Sequence, residues 1–251
     1  MGRIIAVTSG KGGVGKTTCC GNIALQLAAL GKHVLAMDCD FGLRNLDLVL
    51  HMTDQMVYTL EDCLTGEMPL GQAVISVTEG LDFLPAPFSL TAQVPQQPWE
   101  ALLGQVRADY EIILMDTAAG LNSQVQQVLK SCDQTLIVTT PDECAVRDAD
   151  RAVQQAQNCG CEEVGLLINR VRPEYLSRGV GMNVDEVMDS LGVPLTGIVA
   201  EDPTLWKQGG QAPQGSTAAQ CFCNIARRLC GEQVPIIQLE RPGFFERLFR
   251  H

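Results

Sequence analysis

Basic residues are scarce in this chain: 18 Lys and Arg stand against 29 Asp and Glu among 251 residues, a formal charge of −11. A surface that grips the nucleic-acid backbone needs the opposite balance, so no direct nucleic-acid binding is expected. Long hydrophobic runs are missing too. No stretch approaches the roughly eighteen apolar residues of a membrane span, and the N-terminus has neither a basic leader nor a long apolar segment. The chain is therefore expected to stay in the cytosol. Ala6 stands where myristoylation of Gly2 would require Ser or Thr. There is no internal repeat and no low-complexity tract.

Cysteine, by contrast, is plentiful, with 11 residues scattered along a chain whose thiols should stay reduced. Most are read as small core hydrophobes. Two C-x-C pairs, Cys159/Cys161 and Cys221/Cys223, lack the two-residue spacing of a zinc ribbon, which makes a shared metal or cluster site the less favoured reading.

With 46% hydrophobic residues the chain can bury a sizeable core. Short apolar runs ending near turn residues fall at 3–8, 33–38, 81–84, 111–116, 134–140, 164–169 and 195–200. Helical patterns alternate with them: Ile23, Leu27 and Leu30 keep helical spacing, and 99–108, 122–130, 145–159, 184–191 and 218–229 also read as helices. The pattern predicts one three-layer α/β/α domain with a mostly parallel sheet covered on both faces. It is assigned to residues 1–231, followed by a tether at 232–240 containing Pro235 and a short amphipathic helix at 241–251.

Residues 10–18 read Gly-Lys-Gly-Gly-Val-Gly-Lys-Thr-Thr, directly after the first predicted strand and at the head of the first helix. Gly10, Gly12 and Gly15 satisfy the dinucleotide pattern G-x-G-x-x-G, with Asp38 where a ribose-binding acid would sit. Gly10, Gly15, Lys16 and Thr17 also satisfy G-x-x-x-x-G-K-[ST], in which backbone N–H groups wrap a phosphate. A dinucleotide needs neither an ammonium on its phosphates nor a hydroxyl on Mg²⁺. A triphosphate uses both, so Lys16 and Thr17 favour ATP-type binding and a P-loop NTPase domain. The acid that such a site needs near its metal is Asp116, at the end of the apolar run Ile112-Ile113-Leu114-Met115, which resembles a Walker B strand. An Asp merely ending a strand is common, and it is the conjunction with the loop that gives Asp116 weight.

The extra lysine in Lys11-Gly12-Gly13-Val14-Gly15-Lys16-Thr17-Thr18 resembles the loop of the deviant Walker A ATPases, which include the MinD, ParA, flagellar-number and nitrogenase iron-protein groups. The stretch Asp38-Cys39-Asp40-Phe41-Gly42-Leu43-Arg44-Asn45-Leu46-Asp47 is similar to the switch of the MinD group, as are residues 146–151 and 199–202. The resemblance covers nearly the whole chain. It implies an ATP hydrolase using Mg²⁺, in which Lys11 reaches phosphates held by a second copy across an ATP-dependent homodimer. It further implies that Thr17, Asp38 and Asp116 serve the metal, and that Asp40, helped by Asn45, orients the attacking water. The alternative for Asp38 and Asp40 is that they only cap the loop. Residues 10–18, Val14 and Thr18 among them, would line the phosphates, while Asn169 and Arg170 sit where the family recognises adenine. The Asn169 amide offers a base edge both a donor and an acceptor, and Pro203 would flank the base. One departure stands out: Ala118 replaces the proline usual after the Walker B Asp, so the turn that senses the γ-phosphate is expected to be looser.

The last eleven residues, 241–251, carry three Arg and one Glu. At helical spacing Phe244, Phe245, Leu248 and Phe249 share an arc of about 140°, opposite Arg247, Arg250 and Glu246. With Arg241 this reads as an interfacial anchor for an anionic membrane surface, against the alternative of a terminal helix docked on the body. Burying four such side chains is worth at most about 6–12 kcal/mol, while ordering eight or so residues costs about 8–16 kcal/mol. One copy should therefore hold weakly, and two copies in one dimer would gain about 10²–10⁴ in avidity. The family resemblance implies that the membrane-bound dimer recruits a MinC-like division inhibitor and answers to a MinE-like activator or a polar-landmark protein. Alternatives are a flagellar-number ATPase, a cysteine-rich iron–sulfur carrier or scaffold, and a DNA-partitioning ATPase.

Overall fold

The computed structural model describes residues 1–41, 43–87, 95–176, 178, 180–237 and 239. The chain opens with β1 (Arg3–Thr8), α1 (Lys16–Ala29) and β2 (Val34–Cys39). Three short helices follow, α2 (Leu46–Leu50), α3 (Leu60–Thr65) and α4 (Leu70–Ala73), then a hairpin of β3 (Ile75–Thr78) and β4 (Leu81–Leu84). Next come α5 (Gln96–Asp109), β5 (Ile112–Thr117), α6 (Ser123–Leu129), β6 (Gln134–Thr139) and α7 (Glu143–Asn158). The chain continues through β7 (Glu163–Val171), α8 (Pro173–Leu176), α9 (Val184–Leu191), β8 (Leu195–Ala200) and α10 (Thr217–Leu229).

The eight strands form one sheet in the order β3-β4-β2-β5-β1-β6-β7-β8. Every neighbouring pair is parallel except β3 with β4. Successive β1 residues bury on opposite faces: Ile4 and Ala6 join a core with Trp99, Val106, Val125 and Val153, whereas Ile5 and Val7 join Ile23, Leu27, Phe222 and Ile225. Two hydrophobic layers thus sandwich the sheet, as the continuous apolar runs predict. Each fully buried large side chain contributes about 1.5–3 kcal/mol.

The edge strand β3 was not legible as a run, because it is four residues long and only alternate side chains are covered. Leu30, which keeps helical spacing with Ile23 and Leu27, is the C-cap of α1 and is 39% exposed, since the helix ends at Ala29. The start of the expected tether lies along the body: Arg228 donates from Nε to the Val234 carbonyl at 2.8 Å and from a terminal guanidinium nitrogen to the Pro235 carbonyl at 2.5 Å. The expected anchor at 241–251, with Arg241, Phe244, Phe245, Arg247, Leu248, Phe249 and Arg250, lies outside the described residues. Among those described, no helix is long and apolar enough to cross a membrane.

Candidate nucleotide-binding site

The carboxyl ends of the strands carry a cleft of about 440 Å³ lined by the glycine-rich loop, the segment after β2 and the loop after β8. Open parallel sheets place ligands at this edge. Gly13 (φ 81°) and Gly15 (φ 91°) adopt left-handed backbone that a side chain would strain, and Gly15 is the N-cap of α1. A Cβ at Gly10 would strike the backbone carbonyl of Asp148 in α7, so this glycine is fixed by close approach. No side chain caps the first turn of α1, and no acid stands in it. Its N–H groups and favourable dipole are left to an anion.

Beneath the loop, Lys16 and Asp116 form a buried ion pair, Nζ to Oδ1 at 2.9 Å, with side chains 6% and 1% exposed. Burial opposes the Lys16 charge, but the charge and hydrogen bond of Asp116, aided by Asp40, outweigh it and raise the ammonium above its usual range. Asp116 pairs with Asp38 in the β5–β2 register, and its Oδ2 is buried with no hydrogen-bond partner. Burial and the neighbouring Asp116 charge push Asp38 up to about 7, although its carboxylate accepts N–H bonds from Asp40 at 2.9 Å and Leu46 at 3.3 Å. Asp40 is also raised, by burial first, against the pull of Lys16. Asp38 and Asp116, the latter with its orphaned oxygen, and the Thr17 hydroxyl offer hard oxygen donors of the kind Mg²⁺ accepts; Thr17 lines the cleft, while the two carboxylates lie buried behind the lining.

The remaining expected residues are distributed unevenly. Lys11, Gly12, Gly13, Thr18, Asp40 and Asn45 line the cleft, while Val14 is buried beneath it. The Lys11 Nζ lies 3.9 Å from Asp142, the N-cap of α7. Asn169 donates one amide N–H to the Val14 carbonyl at 2.8 Å, so part of the amide expected for a base edge ties β7 to the phosphate loop. A Cβ at Gly15 would strike this same amide. Arg170 sits on the cleft wall at φ 56°, where the β7–β8 register shifts. Pro203 opens a 3₁₀ helix, Pro203–Gln208, and is exposed, next to the cleft-lining Asp202 but not itself part of the lining.

Two residues that the sequence did not single out take part. Trp206, 73% exposed, stands on the rim with the Arg170 guanidinium 5.6 Å from its ring centroid. Buried Asn22 donates to the carbonyls of Thr18 (2.7 Å) and Gly210 (2.8 Å) and accepts from the Ala212 N–H (2.8 Å), fastening the loop after β8 to α1. A polar residue inside an otherwise apolar helix stripe was the available signal for it.

Among the described residues, no three or more His, Cys, Asp or Glu side chains are grouped so as to hold a metal ion. Cys221 is buried and Cys223 half-buried on α10, where residues two apart do not face each other. Where Ala118 replaces proline, the turn remains tied in: the Gly120 N–H donates to the Ser9 carbonyl at 3.2 Å, and Thr117 Oγ1 donates to Thr8 Oγ1 at 2.9 Å.

A parallel sheet, a glycine-rich loop running into a helix, and a buried Lys–Asp pair below it define a P-loop nucleoside triphosphatase. A family model described as an AAA domain matches residues 2–160. The septum site-determining protein MinD of Synechocystis sp. is 36% identical over 246 residues, covering 94% of this chain and 92% of the relative. Among solved structures, the MinC:MinD cell division protein complex of Aquifex aeolicus is similar with TM-score 0.88 and 33% identity, covering 94% of this chain and 98% of that one. The septum site-determining protein MinD complexed with Mg-ADP from Pyrococcus horikoshii OT3 gives TM-score 0.79 and 28% identity over 91% and 96% of the two chains. The chain belongs to the MinD family of septum site-determining P-loop ATPases.

Proposed function

We propose that this chain is a division-site ATPase that hydrolyses ATP, pairs with a second copy when ATP is bound, and attaches reversibly to the inner membrane surface through residues 241–251. The buried Lys16–Asp116 pair with its orphaned carboxylate oxygen carries the nucleotide part of this reading. A buried ammonium beneath a glycine-rich cradle meets the charge that accumulates on transferring phosphoryl oxygens. Mg²⁺, held by Thr17, Asp38 and Asp116, would neutralise phosphate charge when bound.

The chain's own residues do the rest. The loop N–H groups and the start of α1 bind and orient the phosphates. Asp40, buried on the cleft wall, accepts a hydrogen bond from the attacking water and aligns it, helped by Asn45 on the same wall. Lys11, exposed at the mouth, reaches the phosphates of the second copy once it leaves Asp142. Asn169, Arg170 and Trp206 form the wall for the base.

The amphipathic pattern of 241–251 supports the membrane step, and the MinC:MinD complex of Aquifex aeolicus supports recruitment of a MinC-like inhibitor. A MinE-like activator or polar landmark would trigger hydrolysis and release. Co-sedimentation with anionic lipid vesicles, in Mg-ATP and in Mg-ADP, tests the whole sequence of events. The expected result is binding that needs both ATP and the last eleven residues, compared with a chain ending at Glu240. A bound fraction unchanged by nucleotide and by truncation would refute the nucleotide-switched anchor.

A further inference from the structure

The amino edge of the sheet, opposite the nucleotide cleft, holds the two thiols Cys132 and Cys161 with their sulfurs 3.9 Å apart. Their approach follows from strand register. β6 and β7 are parallel neighbours with Gln134 opposite Glu163, and each cysteine lies two residues before its member of that pair. Adjacent parallel strands run about 4.8 Å apart, inside the Cα separation of about 4.4–6.8 Å that a disulfide spans.

We propose that Cys132 and Cys161 are a site of reversible oxidation, closed to an intramolecular disulfide by hydrogen peroxide. This site is independent of the nucleotide reading.

The surroundings favour Cys161 as the attacking sulfur. The Thr135 hydroxyl donates to Cys161 Sγ at 3.2 Å, and the Cys132 thiol has its single proton within reach of both Cys161 Sγ at 3.9 Å and the Leu129 carbonyl at 3.3 Å. These donors bring Cys161 down to about 6 against the effect of burial, while Cys132, as donor and by burial, is pushed up. Elsewhere burial alone dominates and pushes Cys19, Cys20 and Cys39 up, which leaves those thiols protonated and inert. Cys161 is nearly closed to solvent at 5% exposure, whereas its neighbour Cys132 is half-buried.

The chemistry balances. The Cys161 thiolate attacks one peroxide oxygen, the O–O bond breaks, and hydroxide leaves and is protonated to water, giving a sulfenic acid. The Cys132 thiol then attacks that sulfur, the S–O bond breaks, and a second water leaves with the thiol proton. Two thiols and one peroxide become one disulfide and two waters. A thiol reductant reverses the change.

The test is non-reducing peptide mapping of the full chain after hydrogen peroxide treatment and alkylation of remaining thiols. A Cys132–Cys161 link is expected, removed by dithiothreitol and absent from Cys132→Ser and Cys161→Ser. In Cys132→Ser, where closure is blocked, dimedone should label Cys161. The proposal is overturned if both cysteines remain alkylated at a peroxide level that oxidises the exposed Cys144. It is equally overturned if Cys161 pairs with Cys159 in place of Cys132.

Discussion

At the carboxyl edge of the sheet Lys16 and Asp116 meet at 2.9 Å with side chains 6% and 1% exposed; at the amino edge Arg107 and Asp133 meet at 2.7 Å with side chains 21% and 44% exposed. The exposed pair is complete. Asp133 accepts two guanidinium bonds from Arg107 and the N–H of Ile4, while Arg107 also reaches the carbonyls of Gly2 and Ser131. The buried pair is unfinished, because Asp116 Oδ2 has no partner and Asp38 lies beside it in register. Leaving a buried acceptor unsatisfied costs about 1–3 kcal/mol, more for a charged group. A finished network closes the base of the fold, and an unfinished one stands behind the cleft at the opposite edge.

The contrast predicts the largest effect at Lys16. Lys16→Met leaves two buried carboxylates facing each other without their cation, and breaking such a pair costs about 3–5 kcal/mol. Urea denaturation at pH 8 should show that loss, and ATP hydrolysis should fall to background. A change under about 1 kcal/mol would mean that the carboxylates are hydrated, and the distinction between the edges would fail. Asp40→Ala comes next. Removing a positioned group that aligns water costs about 10²–10⁴ in rate, so turnover should drop by that factor while ATP still binds and the ATP-bound dimer persists. Hydrolysis at the unaltered rate would move the water-aligning role elsewhere.

Much of this edge was legible in the sequence because its signals are local. Continuous apolar runs mark buried parallel strands, and the spacing of Gly10, Gly15, Lys16 and Thr17 fixes a loop between strand and helix. Asp116 was found by its place at the end of such a run. Signals that depend on tertiary neighbours did not show. Trp206 stands on the cleft rim, carried there by the 3₁₀ turn Pro203–Gln208, and no local pattern in the sequence points to it. The cysteines teach the same lesson: sequence spacing drew attention to Cys159 with Cys161, whereas strand register places Cys132 against Cys161.

Asn22 joins the carboxyl edge to the loop after β8 and extends the comparison to a neutral group. Asn22→Ala would orphan the Gly210 carbonyl and the Ala212 N–H, while the Thr18 carbonyl keeps its helical bond. A loss of about 1–3 kcal/mol is expected, together with weaker nucleotide binding as the base-side wall loosens. Equilibrium denaturation and a nucleotide titration measure the two effects separately. Lost stability with unchanged affinity would confine Asn22 to packing and leave the base-side wall to Arg170 and Trp206.

The smallest effect belongs to the amino edge. Burial tends to raise Asp133, but the Arg107 and Ile4 hydrogen bonds and the nearby guanidinium charges outweigh it, so its folded value lies below the ordinary carboxylate value of 3.8. A depressed acid contributes its full stabilisation above that ordinary value and loses it as the pH falls through the lowered folded value. Because Asp133 is nearly half exposed, solvent screens the pair and Asp133→Asn should cost about 1 kcal/mol or less near pH 7. Denaturation curves of the two proteins should converge as the pH drops below about 4. A loss at pH 7 as large as that of Lys16→Met would show that the amino-edge network carries the fold as much as the cleft does, and burial would no longer separate the two edges.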